Sequence, residues 1–151
     1  MIPARLVKYV SITPPAAIVD NASFTTAEID TNGFNHMTVV VYLGATDIAM
    51  TALTITESDT TGSGHAAVTG LVWGTSTNID GSTSALPSAT DDNTFQIADI
   101  DLRGRKRFID VTATMGDGTV GGFVTILGIL SRASQTPKSI SDIGANEVLR
   151  A

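Results

Sequence analysis

The stretch HMTVVVYL, His36 to Leu43, places apolar residues on both sides of a period of two. Met37, Val39, Val41 and Leu43 share one face, and Val40 and Tyr42 share the other. Alternation marks a β-strand, and apolar residues on both faces predict a central strand covered on each side. Working toward the C-terminus, ALTITES (Ala52 to Ser58) puts Leu53 and Ile55 opposite Thr54 and Thr56, a second strand. The GATD segment at Gly44 to Asp47 reads as the turn joining the two as neighbours, and SDTTGSG (Ser58 to Gly64) as the next turn. AAVTGLVW (Ala66 to Trp73) is a further strand.

Beyond Trp73 the polar run GTSTNIDGSTSALPSATDDN has no sustained period. So long a loop within a small domain is the kind that carries a contact surface. TFQIADIDL (Thr94 to Leu102) changes face partway, with Phe95 and Ile97 on one side and Ile100 and Leu102 on the other, which predicts a β-bulge near Ala98. RFIDVTATM alternates cleanly, with Ile109, Val111, Ala113 and Met115 inward. GDGTVGG is a glycine-rich turn, and FVTILGILS is apolar on both faces and hence central. These last three strands read as a meander. The expected fold is all-β, a single-domain β-sandwich or jelly-roll-like barrel with extended N- and C-terminal arms. Its divisions are residues 1–35 as N-terminal arm and edge strands, 36–131 as sandwich core, and 132–151 as C-terminal arm. The Pro14-Pro15 pair confines the first segment to an edge or arm, which predicts that Met1 to Ala17 adds to a neighbour's sheet edge.

Composition supports strands: charged residues are only 16% of the chain, where exposed helix faces would need Glu, Lys and Gln. The 151 residues contain no cysteine, which removes disulfides, thiol catalysis and Cys-based metal sites. A net charge of −6 argues against nucleic acid as the main partner. The longest apolar run, GGFVTILGIL, is far short of the roughly 18 residues of a membrane span. MIPARLVKYV lacks the features of a signal peptide, so the expectation is a soluble chain made in the cytoplasm and kept there until it assembles.

Few residues carry chemistry. His36 opens a strand and His65 sits in a turn; each reads as a surface or hydrogen-bonded residue rather than a base or ligand. Asp80, Asp91 and Asp92 offer hard oxygen ligands on the long loop. They lack the spacing of a calcium loop, and Asp-Asn clusters are ordinary turn formers. Asp99, Asp101 and Asp110 pair more simply with nearby arginines across a hairpin than they act as paired catalytic carboxylates. GDGTVGG has no following Lys and no helix, so it is a turn and not a phosphate loop. No enzyme, cofactor or small-molecule substrate is implied. The conspicuous charge feature is RGRKR, where Arg103, Arg105, Lys106 and Arg107 place four of nine basic residues in five positions. They are read as one end of a surface hairpin between the strands on either side. These four, with Tyr9 and Trp73, are the candidate partner-binding residues.

The series VYLGATDIAMTALTITESDTTGSG, LPSATDDNTF, DLRGRKRFIDVTATMGDGT and ILSRA, spread over most of Val41 to Ala133, resembles small virion structural proteins of tailed bacteriophages. Within that group it looks most like a capsid decoration, or cement, protein. The resemblance implies a β-rich fold with no catalytic residue. It also implies a place on the outer surface of the head and two partners, the major capsid protein and further copies of itself in a homodimer or homotrimer. Tail or baseplate β-proteins and carbohydrate-binding host-recognition modules are the alternatives left open.

Overall fold

A computed structural model describes residues 6–135 and 139–149. The remainder of the two expected arms, residues 1–5, 136–138 and 150–151, lies outside the described residues. Among the described residues there are eight strands: β1 Lys8–Thr13, β2 Ile29–Asp30, β3 Phe34–Thr46, β4 Met50–Ser58, β5 Ala66–Val72, β6 Phe95–Asp101, β7 Phe108–Met115 and β8 Gly122–Ala133. They form two antiparallel four-stranded sheets, ordered β1-β8-β3-β6 and β2-β7-β4-β5. The pairs β1·β8, β2·β7, β3·β6 and β4·β5 are those of a long ribbon folded back on itself. Wrapping that ribbon so that β3 also meets β8, and β4 meets β7, gives the jelly-roll arrangement.

This connectivity corrects three sequence expectations. β3 and β4 lie in different sheets, so GATD makes no hairpin turn: Gly44, Ala45 and Thr46 end β3, and the crossover runs from Asp47 to Ala49. The last three strands alternate between sheets, so they are no meander, and RGRKR spans the sandwich from β6 to β7. Asp110 therefore has no place opposite Asp99 and Asp101. Short turns in a jelly roll join strands across the core as readily as along a sheet, and strand periodicity does not distinguish the two.

The core lies between the sheets. Met37, Val39, Val41 and Leu43 from β3 face Leu53 and Ile55 from β4 and Ile109, Val111, Ala113 and Met115 from β7, all buried. β8 lies between β1 and β3 and contributes Val124, Ile126 and Leu130. Gly128 leaves room there: a β-carbon would sit 2.7 Å from Ile29 Cδ1 and 3.1 Å from Met37 Cε. β6 pairs with β3 in continuous register from His36↔Asp101 to Tyr42↔Phe95, without the bulge expected at Ala98. Phe95 and Ile97 point outward, each 60% exposed, while Ala98 and Ile100 point into the core. The bulge was needed only on the premise that every apolar residue faces inward.

The N-terminal segment is built into this sandwich. β1 pairs with β8 of its own chain, Ile12 is buried, and Phe24 and Ile29 belong to the core. Lys8–Thr13 thus occupies an edge within its own chain and not a neighbour's, because Val10 and Ile12 bury apolar surface there. At the other end, one helical turn, α1 (Ile140–Ile143), is closed by a Ser139/Asp142 capping box. Gly144 ends it at φ 77°, pressed so closely on the Tyr9 carbonyl that a β-carbon would collide with it. Ile143 is buried.

Candidate interaction surface

The outer face of the β1-β8-β3-β6 sheet carries the residues that the inner face excludes. Register places Tyr9, Ile129, Thr38 and Asp99 in one row, Ser11, Leu127, Val40 and Ile97 in the next, and Thr125, Tyr42 and Phe95 beyond. Tyr42 and Phe95 stack with ring centroids 4.6 Å apart, and both are exposed. Phe123 extends the patch beside Gly44, where a β-carbon would come within 2.9 Å of the Phe123 β-carbon. Four of the chain's eight aromatic residues (Tyr9, Tyr42, Phe95 and Phe123) therefore lie on the outside of one sheet. Within one chain that placement gains little beyond the Tyr42–Phe95 stack, whereas aromatic side chains are enriched where proteins meet partners.

One end of this face is polar. His36 and Ser131 are register partners, with Nδ1 and Oγ 2.8 Å apart. His36 Nε2 lies 2.8 Å from Asp99 Oδ1, which also accepts a hydrogen bond from Thr38 Oγ1 at 3.2 Å. The chain Ser131–His36–Asp99 has the members of a nucleophilic triad. Ser131 lies within β8, however, and not on a turn that would aim backbone N–H groups at a substrate oxygen. It forms a hydrogen-bonded rim to the apolar face.

The basic run occupies the β6–β7 crossover, and each of its arginines holds a carboxylate of its own chain. Arg103 Nε and Nη2 donate to Asp101 at 2.9 and 2.6 Å, keeping that carboxyl far below the usual carboxylate range. Arg107 Nε and Nη2 donate bidentately to Asp30 at 2.8 and 2.7 Å, and this lowers the Asp30 pKa. The Arg107 guanidinium also lies 5.1 Å from the Phe108 ring centre. Arg105 is 3.5 Å from Glu57, whose other oxygen accepts the Lys106 backbone N–H at 3.1 Å. The counter-ions are thus Asp101, Asp30 and Glu57; of the three carboxylates expected from sequence, Asp99 turns to His36, and Asp110 accepts from Val111 N. Asp30 and Glu57 come from the opposite sheet, where sequence proximity does not reach. Among the described residues Lys106 alone of the four has no ion pair.

Tyr9 and Trp73 do not join the basic cluster or each other. Tyr9 is on β1, at one margin of the apolar face. Trp73 follows β5 and donates from Nε1 to Gln96 Oε1 at 3.1 Å, lining a cleft of about 470 Å³ with Ile79 and Ile97. The long loop above it is well anchored: Met50 N donates to Pro87 O, Asn93 N to Leu43 O, and Ser84 N to Ser76 O. Two of its acids organise turns, Asp80 accepting from Ser82 N and Asp91 from Ser88 N, while Asp92 ties the loop to the end of β3 by accepting from Thr46 N. The GDGTVGG turn converges the N–H groups of Thr119, Val120 and Gly121 on the Asp47 carboxylate at 2.7–2.9 Å, which depresses its pKa. That cradle is filled from within.

No family model matches the chain, and no curated protein does. Among solved structures it is similar to the SPBc2 prophage-derived protein YomS, with a TM-score of 0.49 and 18% identity, over 82% of this chain and 91% of that one.

Proposed function

We propose that this protein is a non-enzymatic structural component of a tailed-phage virion that binds the outside of the head and stabilises contacts between major capsid subunits. The observation that carries the reading is the aromatic outer face of the β1-β8-β3-β6 sheet, which exposes Tyr42, Phe95, Ile97 and Phe123 on a rigid two-sheet scaffold. Such a face is made to be covered in an assembly. The sequence resemblance supplies the kind of assembly, and its quoted segments fall on β3, β4, β6, β7 and the ends of β8 and of the long loop. A ligand that binds only the assembled shell stabilises it by mass action, and many copies multiply that effect.

Affinity then rests on apolar contacts. The crossover charges, already paired internally, act at most on orientation and association rate through Lys106. The test is a cryo-electron reconstruction of heads incubated with the purified chain, beside heads without it. Added density at capsid subunit junctions supports the reading. Bare heads, with density on the tail tube or baseplate instead, would move the protein to a tail role. Binding to a host glycan with no particle density would make it a recognition module.

A further inference from the structure

Resting on the reading of the β1-β8-β3-β6 sheet as the side that meets the capsid, we infer that its β6 edge takes an added β-strand from a capsid subunit. The segment it fits is extended, with a basic residue opposite Asp99 and apolar residues opposite Ile97 and Phe95. β6 pairs with β3 in unbroken register from His36↔Asp101 to Tyr42↔Phe95. Just beyond the two ends of that ladder, Leu102 N donates to Asn35 O and Leu43 N to Thr94 O. Antiparallel pairing therefore turns the N–H and C=O of Gln96, Ala98 and Ile100 toward β3, and those of Phe95, Ile97 and Asp99 away from it. β6 is the edge of its sheet, so among the described residues no strand meets these outward groups.

The other sheet edges are guarded. On β1 the α1 turn presses against the Tyr9 backbone, and Ala27 N donates to Ile12 O. β2 is two residues long, and β5 is kinked by a register shift against β4 and by Gly70 at φ 87°. Shortness, bulges, proline and covering segments are how folded proteins keep an edge from recruiting strands. β6 has seven residues, no proline and no register shift. The loop after β5 leaves a cleft of about 470 Å³ against it, lined by Leu71, Trp73 and Ile79 together with Ile97, Ala98 and Asp99. On an added strand, the side chains opposite Phe95, Ile97 and Asp99 continue the outer face, and the alternate ones point into that cleft. Charge narrows the occupant. The Asp99 side chain is 73% exposed, and among the described residues only its Oδ1 is engaged, by His36 and Thr38. The net charge of −6 disfavours an acidic segment, and a lysine or arginine opposite Asp99 completes the row. A segment whose basic residue stands two positions from one apolar residue and four from the next meets all three.

Proline is tolerated on an edge strand where its missing N–H faces out. Ile97→Pro therefore removes an edge donor and sets a ring where the added strand would lie, without touching the β3 ladder. Ile97→Thr is its control, since threonine keeps the N–H and is no more apolar than proline. Thermal unfolding checks that both fold. Purified chains are titrated onto undecorated heads, and Ile97→Pro is expected to bind at least about 30-fold more weakly than Ile97→Thr, the equivalent of about two lost hydrogen bonds. A second measurement needs no variant. On heads decorated with the wild-type chain, hydrogen exchange at the Phe95, Ile97 and Asp99 amides should slow at least about 100-fold, because contact with the face alone leaves them solvated. Asp99→Asn should slow association at low salt. Equal binding by folded Ile97→Pro and Ile97→Thr, unchanged exchange at the three amides, or faster association of Asp99→Asn would overturn the added strand and leave the capsid reading in place. The same slowing in the free chain, with a dimer that Ile97→Pro abolishes, would give the edge to a second copy and overturn it too. Heads left bare by the wild-type chain would remove the capsid reading and the strand with it.

Discussion

The triplet Val39-Val40-Val41 provides a one-residue test of the register from which the exposed face follows. Val41 is fully buried between the sheets, whereas Val40 points out and is only half-covered by its neighbours. Val41→Ala deletes two methylene equivalents from the core. At about 0.8 kcal/mol each, transfer alone gives about 1.6 kcal/mol, and the cavity left in a packed interior raises the total to about 2–3 kcal/mol. For a domain of this size each kcal/mol lowers the melting temperature by about 2–4 °C, so the expected loss is about 5–10 °C. Val40→Ala removes the same atoms from a surface already partly in water, and the expected cost is below about 0.8 kcal/mol, under about 3 °C. Both variants are compared by thermal and urea unfolding at low micromolar concentration, where self-association contributes least, with unchanged m-values confirming that the two-state comparison holds. Equal losses, or a larger loss for Val40→Ala, would mean that β3 is out by one residue. The outward side chains of β3, Val40 and Tyr42 among them, would then be inward.

Gly121 sits at φ 87°, where a β-carbon would run into the Val19 carbonyl, so Gly121→Ala is expected to cost more than about 2 kcal/mol in urea unfolding. Asp30, Asp47 and Asp101 have folded pKa values below their unfolded ones, so their stabilisation is complete above the unfolded carboxylate range near about 4 and is lost as pH falls through the folded values. The urea midpoint should therefore be level between about pH 5 and 7 and drop below about pH 4. Replacing Arg105, Lys106 and Arg107 together with Ser should lower the melting temperature slightly, because Glu57 and Asp30 lose their partners, and the loss should shrink in high salt. Deleting residues 1–13 removes β1 and the buried Ile12 and uncovers the β8 edge, so the truncated chain should unfold at markedly lower urea or aggregate; native-like stability would return this segment to the status of an arm.

Strand positions were legible because burial on one face leaves a period of two, which β7 keeps throughout and which β3 and β4 keep from Met37 to Leu43 and from Leu53 to Ile55, losing it only toward their ends. Connectivity was not. The segments Gly44–Asp47 and Leu102–Arg107 have the glycines and polar residues of hairpin turns, and nothing local says whether the chain turns within a sheet or crosses to the other. The basic run shows the same limit. Its charge was visible, but two of its three ion-pair partners, Asp30 and Glu57, lie 77 and 48 residues away and meet it only because β7 pairs with β2 and β4.

The outer face was hidden by a premise and not by missing signal. HMTVVVYL and FVTILGILS were correctly placed as interior strands, because each has a hydrogen-bonded neighbour on both sides. Being interior to a sheet and being covered on both faces are different conditions, and a two-layer sandwich satisfies only the first. Among the described residues there are two sheets, so an apolar residue at Val40, Tyr42, Leu127 or Ile129 has no third sheet to meet. The same logic applies to Phe95 and Ile97, which looked like a bulge because no outward role had been assigned to them. Apolar residues on both faces of interior strands, where the described residues form two sheets, therefore mark a face that those sheets leave uncovered, and in the reading proposed above it is the face that assembly covers.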